Sequence, residues 1–261
     1  MSVYISDIYS NEIYNNLRPL YGNWEPSQPL ALGDYGALQG RIFVRLGSIS
    51  QLGIQSGVRK DGKKDQKYFT SKGSTEVKFN AAGSVPVGGA VNAKASLEVN
   101  FSSERAVFFN AAECEYSMMD DKAAVGAAIM KRYKRRTWKR EWVVVTDVIQ
   151  SGATTIAVSG GSSSNIVFEA TGNVPNINLA DASAGLTIKS AKNVGYQIVA
   201  AQGLVPLIGL SGVRPAFLWF GGDFRPLSLA MTNPAVLHAM TMSDEITTEA
   251  SDKELFFGQL D

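Results

Sequence analysis

The stretch that decides the expected fold is Val85-Pro-Val-Gly-Gly-Ala-Val-Asn-Ala-Lys-Ala-Ser-Leu-Glu-Val-Asn-Phe101. Every odd position in it is apolar or glycine, and the same alternation extends on both sides over 75–112. A period of two is typical of β-strands that have one apolar face and one polar face. The stretch is much longer than an ordinary strand of about five or six residues. The sequence therefore predicts a β-protein with long amphipathic strands.

Length, composition, net charge and cysteine count exclude several classes of protein. The chain has 261 residues, 45% of them hydrophobic, and a net charge of +1, so global charge indicates no partner. A single cysteine rules out an intrachain disulfide and fits a reducing compartment. The first residues show no basic region followed by an apolar one, and no apolar run is long enough for a membrane-spanning helix. A cytoplasmic location is expected.

Residues able to carry out catalysis are scarce. His238 is the only histidine, and its apolar neighbours predict a packed helix. Cys114 lies between Glu113 and Glu115, whose negative charges raise a thiol pKa and make a poor nucleophile. We therefore expect no enzyme activity, no metal site and no cofactor, with a hydrolase built only on carboxylates as the alternative.

The first third of the chain predicts a helix, a strand and a loop. Ser6 or Asp7 can cap a helix that ends near Leu17, with an apolar stripe that serves either the core or a membrane surface. The stretch 38–46 alternates and predicts one strand. The stretch 59–67 is rich in lysine and predicts a solvated polar loop.

A helix that ends in a dense group of cations is predicted near the centre of the chain. Asp120 or Asp121 is expected at its N-cap, followed by good helix formers. Its end carries what we call the basic segment: Lys131, Arg132, Lys134, Arg135, Arg136, Lys139 and Arg140. Some cations are favourable at a helix C-terminus. The interleaved Tyr133 and Trp138 leave three interpretations open, which are a solvated face, anionic lipid and nucleic acid.

The second half repeats the strand pattern. The β-branched run 142–150 predicts a strand buried on both faces. Amphipathic alternation then returns over 154–200, and hairpin turns are expected at 160–161 and 192–193.

The last eighteen residues form an acidic tail. It contains the apolar residues Leu255, Phe256 and Phe257 and one lysine. The tail is either solvated or docked on a basic and apolar surface elsewhere.

This order of elements resembles the pore-forming domain of the gasdermin family, including its shorter bacterial members. The likeness covers the layout of about 30–210, and in residues it rests on Val-Val-Thr-Asp-Val-Ile-Gln at 144–150, which follows a charged helix. It implies an α+β fold, with a twisted, mostly antiparallel β-sheet, long amphipathic hairpins, a central basic helix and short peripheral helices.

The resemblance also implies a mechanism. Residues 1–240 would be the pore-forming domain, and 241–261 would be an autoinhibitory segment removed by an activating protease. The two hairpin regions would then join those of other copies in a membrane β-barrel, moving the protein from the cytoplasm to the membrane. No nucleic-acid partner is expected.

Roles for individual residues follow from the resemblance and the alternation together. A transmembrane strand needs about nine to eleven residues, with apolar side chains toward lipid. The basic segment would bind anionic lipid, and Leu255, Phe256 and Phe257 would cover an apolar surface. The expected membrane-inserting residues are Val85, Val87, Val91, Leu97, Val99, Phe101, Ile156, Val158, Ile166, Phe168, Ile188 and Ile198.

Two other functions fit the same sequence. A self-assembling structural protein, such as a shell, tube or filament subunit, would use long strands for pairing between copies. A nucleic-acid-binding protein would use the basic segment, although the weak net charge counts against it. An assembly subunit should oligomerise without cleavage or lipid, whereas a latent pore former should need both.

Overall fold

The structure is a computed structural model that describes residues 4–84, 94–182, 185–215 and 255–260. These residues form two α-helices, one 3₁₀ turn at Ile49–Leu52 and fourteen strands. The helices are α1 (Ile5–Leu17) and α2 (Lys122–Lys134). The strands are β1 (Tyr21–Gly22), β2 (Asp34–Gln39), β3 (Ile42–Ser48), β4 (Val58–Thr70), β5 (Thr75–Asn80), β6 (Ser96–Phe101), β7 (Val107–Met119), β8 (Trp142–Gln150), β9 (Ala153–Ser159), β10 (Ser164–Ala170), β11 (Leu186–Lys192), β12 (Val194–Ala201), β13 (Leu207–Pro215) and β14 (Leu255–Gln259).

The described strands form two antiparallel sheets. Sheet A has the order β1-β13-β8-β7-β9-β12, with β14 on β13, β2 on β8, β3 on β2, and β4 on β7. Sheet B has the order β11-β10-β6-β5. Every pairing among these strands is antiparallel. The predicted α+β class with a mostly antiparallel sheet is confirmed.

Strand β8 occupies the position that its composition predicts. It spans the expected run Trp142–Gln150 and pairs with β2, β7 and β13. Val143 and Val145 face one apolar cluster, and Val144 faces another on the opposite side of the sheet. Branched side chains suit this site because both faces of the strand are covered.

Helix α1 covers one face of sheet A. Ile8, Tyr9 and Ile13 are buried against side chains of β7 and β9, which confirms core packing for the apolar stripe. The predicted capping by Ser6 or Asp7 is wrong, because the helix begins at Ile5 after Tyr4 with no side-chain cap. Asp7 instead lies in the first turn, where a negative charge is favourable.

Sheet B covers the opposite face of sheet A. Its buried side chains pack against Phe108 and Ala157, while the neighbouring Phe109 and Ile156 point toward α1. Strand β7 is therefore buried on both sides around 107–112, and the expected polar face is wrong there. Alternation in sequence gives the direction of each side chain, but it cannot show that a second sheet covers the outer face.

Two predictions in the first third are wrong. The stretch 38–46 is a hairpin of β2 and β3, because Gly40 adopts a left-handed φ of 62° and reverses the chain. The lysine-rich stretch 59–67 lies within strand β4, although its side chains are mostly exposed. Pairing with the long strand β7 supplies the backbone hydrogen bonds, so the exposed charges do not prevent an extended conformation.

Candidate functional site

The cysteine lies in the core, where it is unsuited to catalysis. Burial raises the pKa of the Cys114 thiol to about 11, Asp65 adds to the increase, and Lys67 partly opposes it. The sequence predicted the direction of this shift but assigned it to Glu113 and Glu115. No group of three potential metal ligands occurs among the described residues, and His238 lies outside them.

Sheet B is built from parts of both predicted hairpin regions. Strands β5 and β6 come from the first region, β10 and β11 come from the second, and β6 pairs directly with β10. Val99 lies opposite Ile166, and Leu97 lies opposite Phe168. The structure therefore brings the two regions together as four adjacent strands.

The described part of sheet B is amphipathic. Leu97, Val99, Ile166 and Phe168 are fully buried on the face toward sheet A. The other face is polar, and Asn165 donates hydrogen bonds to Asn100 at 2.6 Å and to Glu98 at 3.3 Å. Phe101 is buried in the same cluster, whereas Ile188 on β11 is partly exposed.

The remaining predicted membrane-inserting residues lie elsewhere. Ile156 and Val158 are on β9 and Ile198 is on β12, all in sheet A and toward α1. The predicted hairpin turns are wrong, because 160–161 connects β9 of sheet A to β10 of sheet B, and 192–193 connects β11 back to β12. Val85, Val87 and Val91 lie outside the described residues.

The basic segment begins in α2 and continues beyond it. Asp121 caps the helix by accepting from the Ala124 amide at 2.8 Å, as predicted. The helix ends because Arg136 has a left-handed φ of 58°, so the last four cations lie in the following turn. Arg132 is half-buried and donates to the Leu52 carbonyl, and the other six cations are exposed.

Three aromatic rings lie next to the basic segment. Tyr35, Trp138 and Trp142 contact one another with centroid separations of 5.3 to 5.4 Å. Lys139 lies 5.8 Å from the Trp142 ring centroid. The turn after α2 therefore combines exposed cations with an aromatic cluster, to which Trp138 of the two interleaved aromatic residues belongs.

The C-terminal strand β14 extends sheet A beside α2. It pairs with β13 from Ser211↔Gln259 to Pro215↔Leu255. Arg214 donates to the Gln259 carbonyl, and the Leu260 amide donates to the Leu210 carbonyl at 2.9 Å. The acidic residues of the tail lie outside the described residues, as does the predicted domain boundary at 240.

The three apolar residues of the tail have different surroundings. Leu255 and Phe257 pack on the apolar cluster between α2 and sheet A, whereas Phe256 is 46% exposed. Phe257 lies against Gly126 of α2, where an added Cβ would be 3.0 Å from the Phe257 Cδ1 atom. A glycine in the middle of a helix is unfavourable by itself, and here it provides the space for this ring.

A buried ion pair attaches α2 to the centre of sheet A. The Lys122 ammonium lies 2.8 Å from both carboxylate oxygens of Asp147, which also accepts from Tyr116 and Thr146. The Asp147 side chain is only 1% exposed. A Cβ at position 209 would be 2.7 Å from the Asp147 side chain, so the ion pair also depends on Gly209.

The sequence did not identify this ion pair, although it contained a signal. Asp147 stands alone in an otherwise apolar strand, and an isolated acid in a buried strand requires a partner.

Neither described helix is long and apolar enough to cross a membrane.

Comparison with known proteins gives a structural likeness only. No protein-family model and no curated protein matches the chain. This chain is similar to two gasdermin structures. One is a bacterial gasdermin from Bradyrhizobium tropiciagri, with 14% identity, a TM-score of 0.34, and coverage of 80% of this chain and 86% of that chain. The other is the gasdermin A3 membrane pore, with 9% identity, a TM-score of 0.30, and coverage of 90% and 98%.

Both structures belong to the family that the sequence resembles. Both TM-scores are below 0.5, so the function of this chain has to be judged from its own sheets, basic segment and C-terminal strand.

Proposed function

We propose that this protein is a latent pore former whose C-terminal strand holds it inactive. Cleavage of the chain before β14 releases that strand. The two hairpin regions then leave sheet A, extend, and combine with those of other copies in a membrane β-barrel. The partners in this proposal are an activating protease, anionic lipid and further copies of the chain.

The placement of β14 is the observation that carries the proposal. It pairs with β13 and covers the apolar cluster beside α2 with Leu255 and Phe257. Helix α2 bears the first residues of the basic segment. Departure of β14 would therefore expose a strand edge and an apolar surface next to the exposed cations of α2.

The contacts of β14 are weak enough for release after cleavage. Two half-buried large apolar side chains contribute about 2–4 kcal/mol, and the strand hydrogen bonds are offset by the entropy of ordering. A binding free energy of about 4 kcal/mol corresponds to a dissociation constant of about 1 mM. The intact chain supplies β14 at an effective concentration on the order of 1 mM, whereas a cleaved fragment at about 1 μM would be almost completely released.

Sheet B supports the proposed role of the hairpin regions. Its apolar face, now packed on sheet A, would turn to lipid, and its polar face would line the pore. The described strands of sheet B have six or seven residues, so they would have to lengthen to reach the about nine to eleven that cross a bilayer.

Cleavage-dependent leakage tests the proposal. A protease site introduced between Thr241 and Ser251 allows cleavage in the presence of dye-filled anionic vesicles, and a scrambled site is the control. We expect leakage only after cleavage of the functional site. Absence of leakage from both proteins, together with rings or filaments in buffer, would contradict the proposal and favour the assembly function.

A pair of adjacent substitutions tests the same strand without a protease. Phe257→Ala removes a packed ring and should permit slow leakage from the intact chain, whereas Phe256→Ala removes an exposed ring and should not. Equal leakage from the two variants would contradict a holding role for β14.

The assembly function has less structural support. The exposed strand β4 carries charged side chains along most of its length. Lysine on an exposed strand disfavours pairing between copies.

A further inference from the structure

Two arginines contact the same tyrosine ring on the α1 side of the molecule. The Arg41 guanidinium carbon lies 3.6 Å from the Tyr14 ring centroid, and that of Arg18 lies 4.7 Å from it. Arg18 follows α1, and Arg41 lies in the turn between β2 and β3. The fold therefore brings together two positive charges from distant parts of the sequence.

Neither arginine has a carboxylate partner in the described part of the chain. None of the ion pairs among the described residues includes Arg18 or Arg41. The Nη1 atom of Arg41 is buried and has no hydrogen-bond partner. A buried donor without an acceptor is unfavourable, and two adjacent cations repel each other. Contact with the tyrosine ring compensates only in part for both effects.

The surroundings of the pair add to its positive potential. Tyr21 contacts Tyr14 with a centroid separation of 5.0 Å. Burial and Tyr14 raise the pKa of Tyr21 to about 12, while the positive charges of Arg41 and Arg214 oppose the increase. Three guanidinium groups therefore act on this small region.

We propose that Arg18 and Arg41 form a binding site for a single oxyanion, either a carboxylate or a phosphate group. A guanidinium presents parallel N–H donors that match the two oxygens of such a group. The bound anion would supply the acceptor that the buried Nη1 atom lacks and would neutralise the adjacent charges. The site is separate from the basic segment and does not depend on the proposed pore function.

The anion has two possible sources. One is free phosphate. The other is the carboxylate of Asp261, which follows Leu260 in the sequence, since Leu260 packs on the apolar cluster that contains Tyr14 and Tyr21. The two sources compete for the same site, so one titration distinguishes them.

The test is a titration of the full-length protein with inorganic phosphate against chloride at constant ionic strength. Calorimetry and thermal unfolding report binding without any membrane, so failure here is distinguishable from failure of the pore proposal. We expect one saturable site in the wild type, at least tenfold weaker in Arg41→Gln and in Arg18→Gln. The control Arg105→Gln changes an exposed arginine outside the pair and should bind as the wild type does.

Asp261→Asn identifies the source. Tighter phosphate binding in this variant would show that the Asp261 carboxylate occupies the site, and unchanged binding would assign the site to free phosphate. The proposal is overturned if neither the wild type nor Asp261→Asn binds phosphate saturably. Equal binding by Arg41→Gln, Arg18→Gln and Arg105→Gln would overturn it too. Unfolding in chloride verifies that each variant is folded.

Discussion

The small size of Gly126 should be required for docking of the C-terminal strand. Its missing side chain provides the space for the Phe257 ring. We expect Gly126→Leu to displace β14 and to cause vesicle leakage without cleavage. Ala127→Leu, an exposed neighbour on the same helix, is the matched control and should remain latent. A latent Gly126→Leu protein with β14 still protected from hydrogen exchange would show that this contact is unimportant.

Loss of Lys122 from its ion pair with Asp147 should lower the free energy of unfolding more than loss of the Asp147 charge. Lys122→Met leaves a carboxylate buried without its cation, which costs about 3–5 kcal/mol. Asp147→Asn should cost less, because the partly exposed lysine can turn toward water. Chemical denaturation measures both losses, and the double variant should be more stable than Lys122→Met alone. A larger loss for Asp147→Asn would contradict this interpretation.

The Cys114 thiol should be unreactive in the folded protein. Its pKa is raised to about 11, so the thiol stays protonated at pH 8 and the nucleophilic thiolate is almost absent. Reaction with a thiol reagent should therefore be slow at pH 8 and become fast on unfolding in denaturant. A stoichiometric reaction within seconds at pH 8 in the native state would be incompatible with this buried environment.

At the scale of elements, prediction from sequence succeeded where local composition decided the structure. The β-branched run 142–150 became β8 with the predicted bounds, and Asp121 capped α2. Prediction failed where a distant partner decided. The charges of 59–67 predict a solvated loop, yet pairing with β7 makes this stretch part of strand β4.

The candidate site shows the same division. The sequence located the basic segment and the apolar residues of the tail from composition alone. It did not reveal that Phe257 meets Gly126 or that Lys122 reaches Asp147, since these contacts join residues far apart in the chain. Alternation also did not distinguish strands of sheet A from strands of sheet B.

The position of the basic segment, and not only its charge, should matter for lipid binding. Replacing Lys139 and Arg140 with glutamine should reduce binding of the cleaved protein to anionic vesicles by about thirtyfold, since each cation near such a surface contributes about 1 kcal/mol. Replacing the exposed Lys60 and Lys63 of β4 with glutamine removes the same charge and should have a smaller effect. Equal effects from both pairs in a vesicle sedimentation assay would mean that only net charge matters.

At the scale of the whole molecule, the amphipathic strands of sheet B pack on one face of sheet A. The apolar face of sheet B is covered by sheet A, so the surface that we propose to face lipid is buried in this conformation. Strand β14 pairs with β13 and lies against α2, away from strands β7 and β9 on which sheet B packs. In the proposed mechanism, release of β14 would therefore act on the hairpin regions through sheet A.

The most direct test is to separate the cleaved protein into fractions with and without its C-terminal fragment. Size-exclusion chromatography followed by mass spectrometry identifies the two fractions, and each is added to dye-filled anionic vesicles. The account predicts that only the fraction without the fragment causes leakage, and that adding a peptide of residues 251–261 suppresses it. Equal leakage from both fractions, with no effect of the peptide, would contradict the claim that β14 holds the protein inactive.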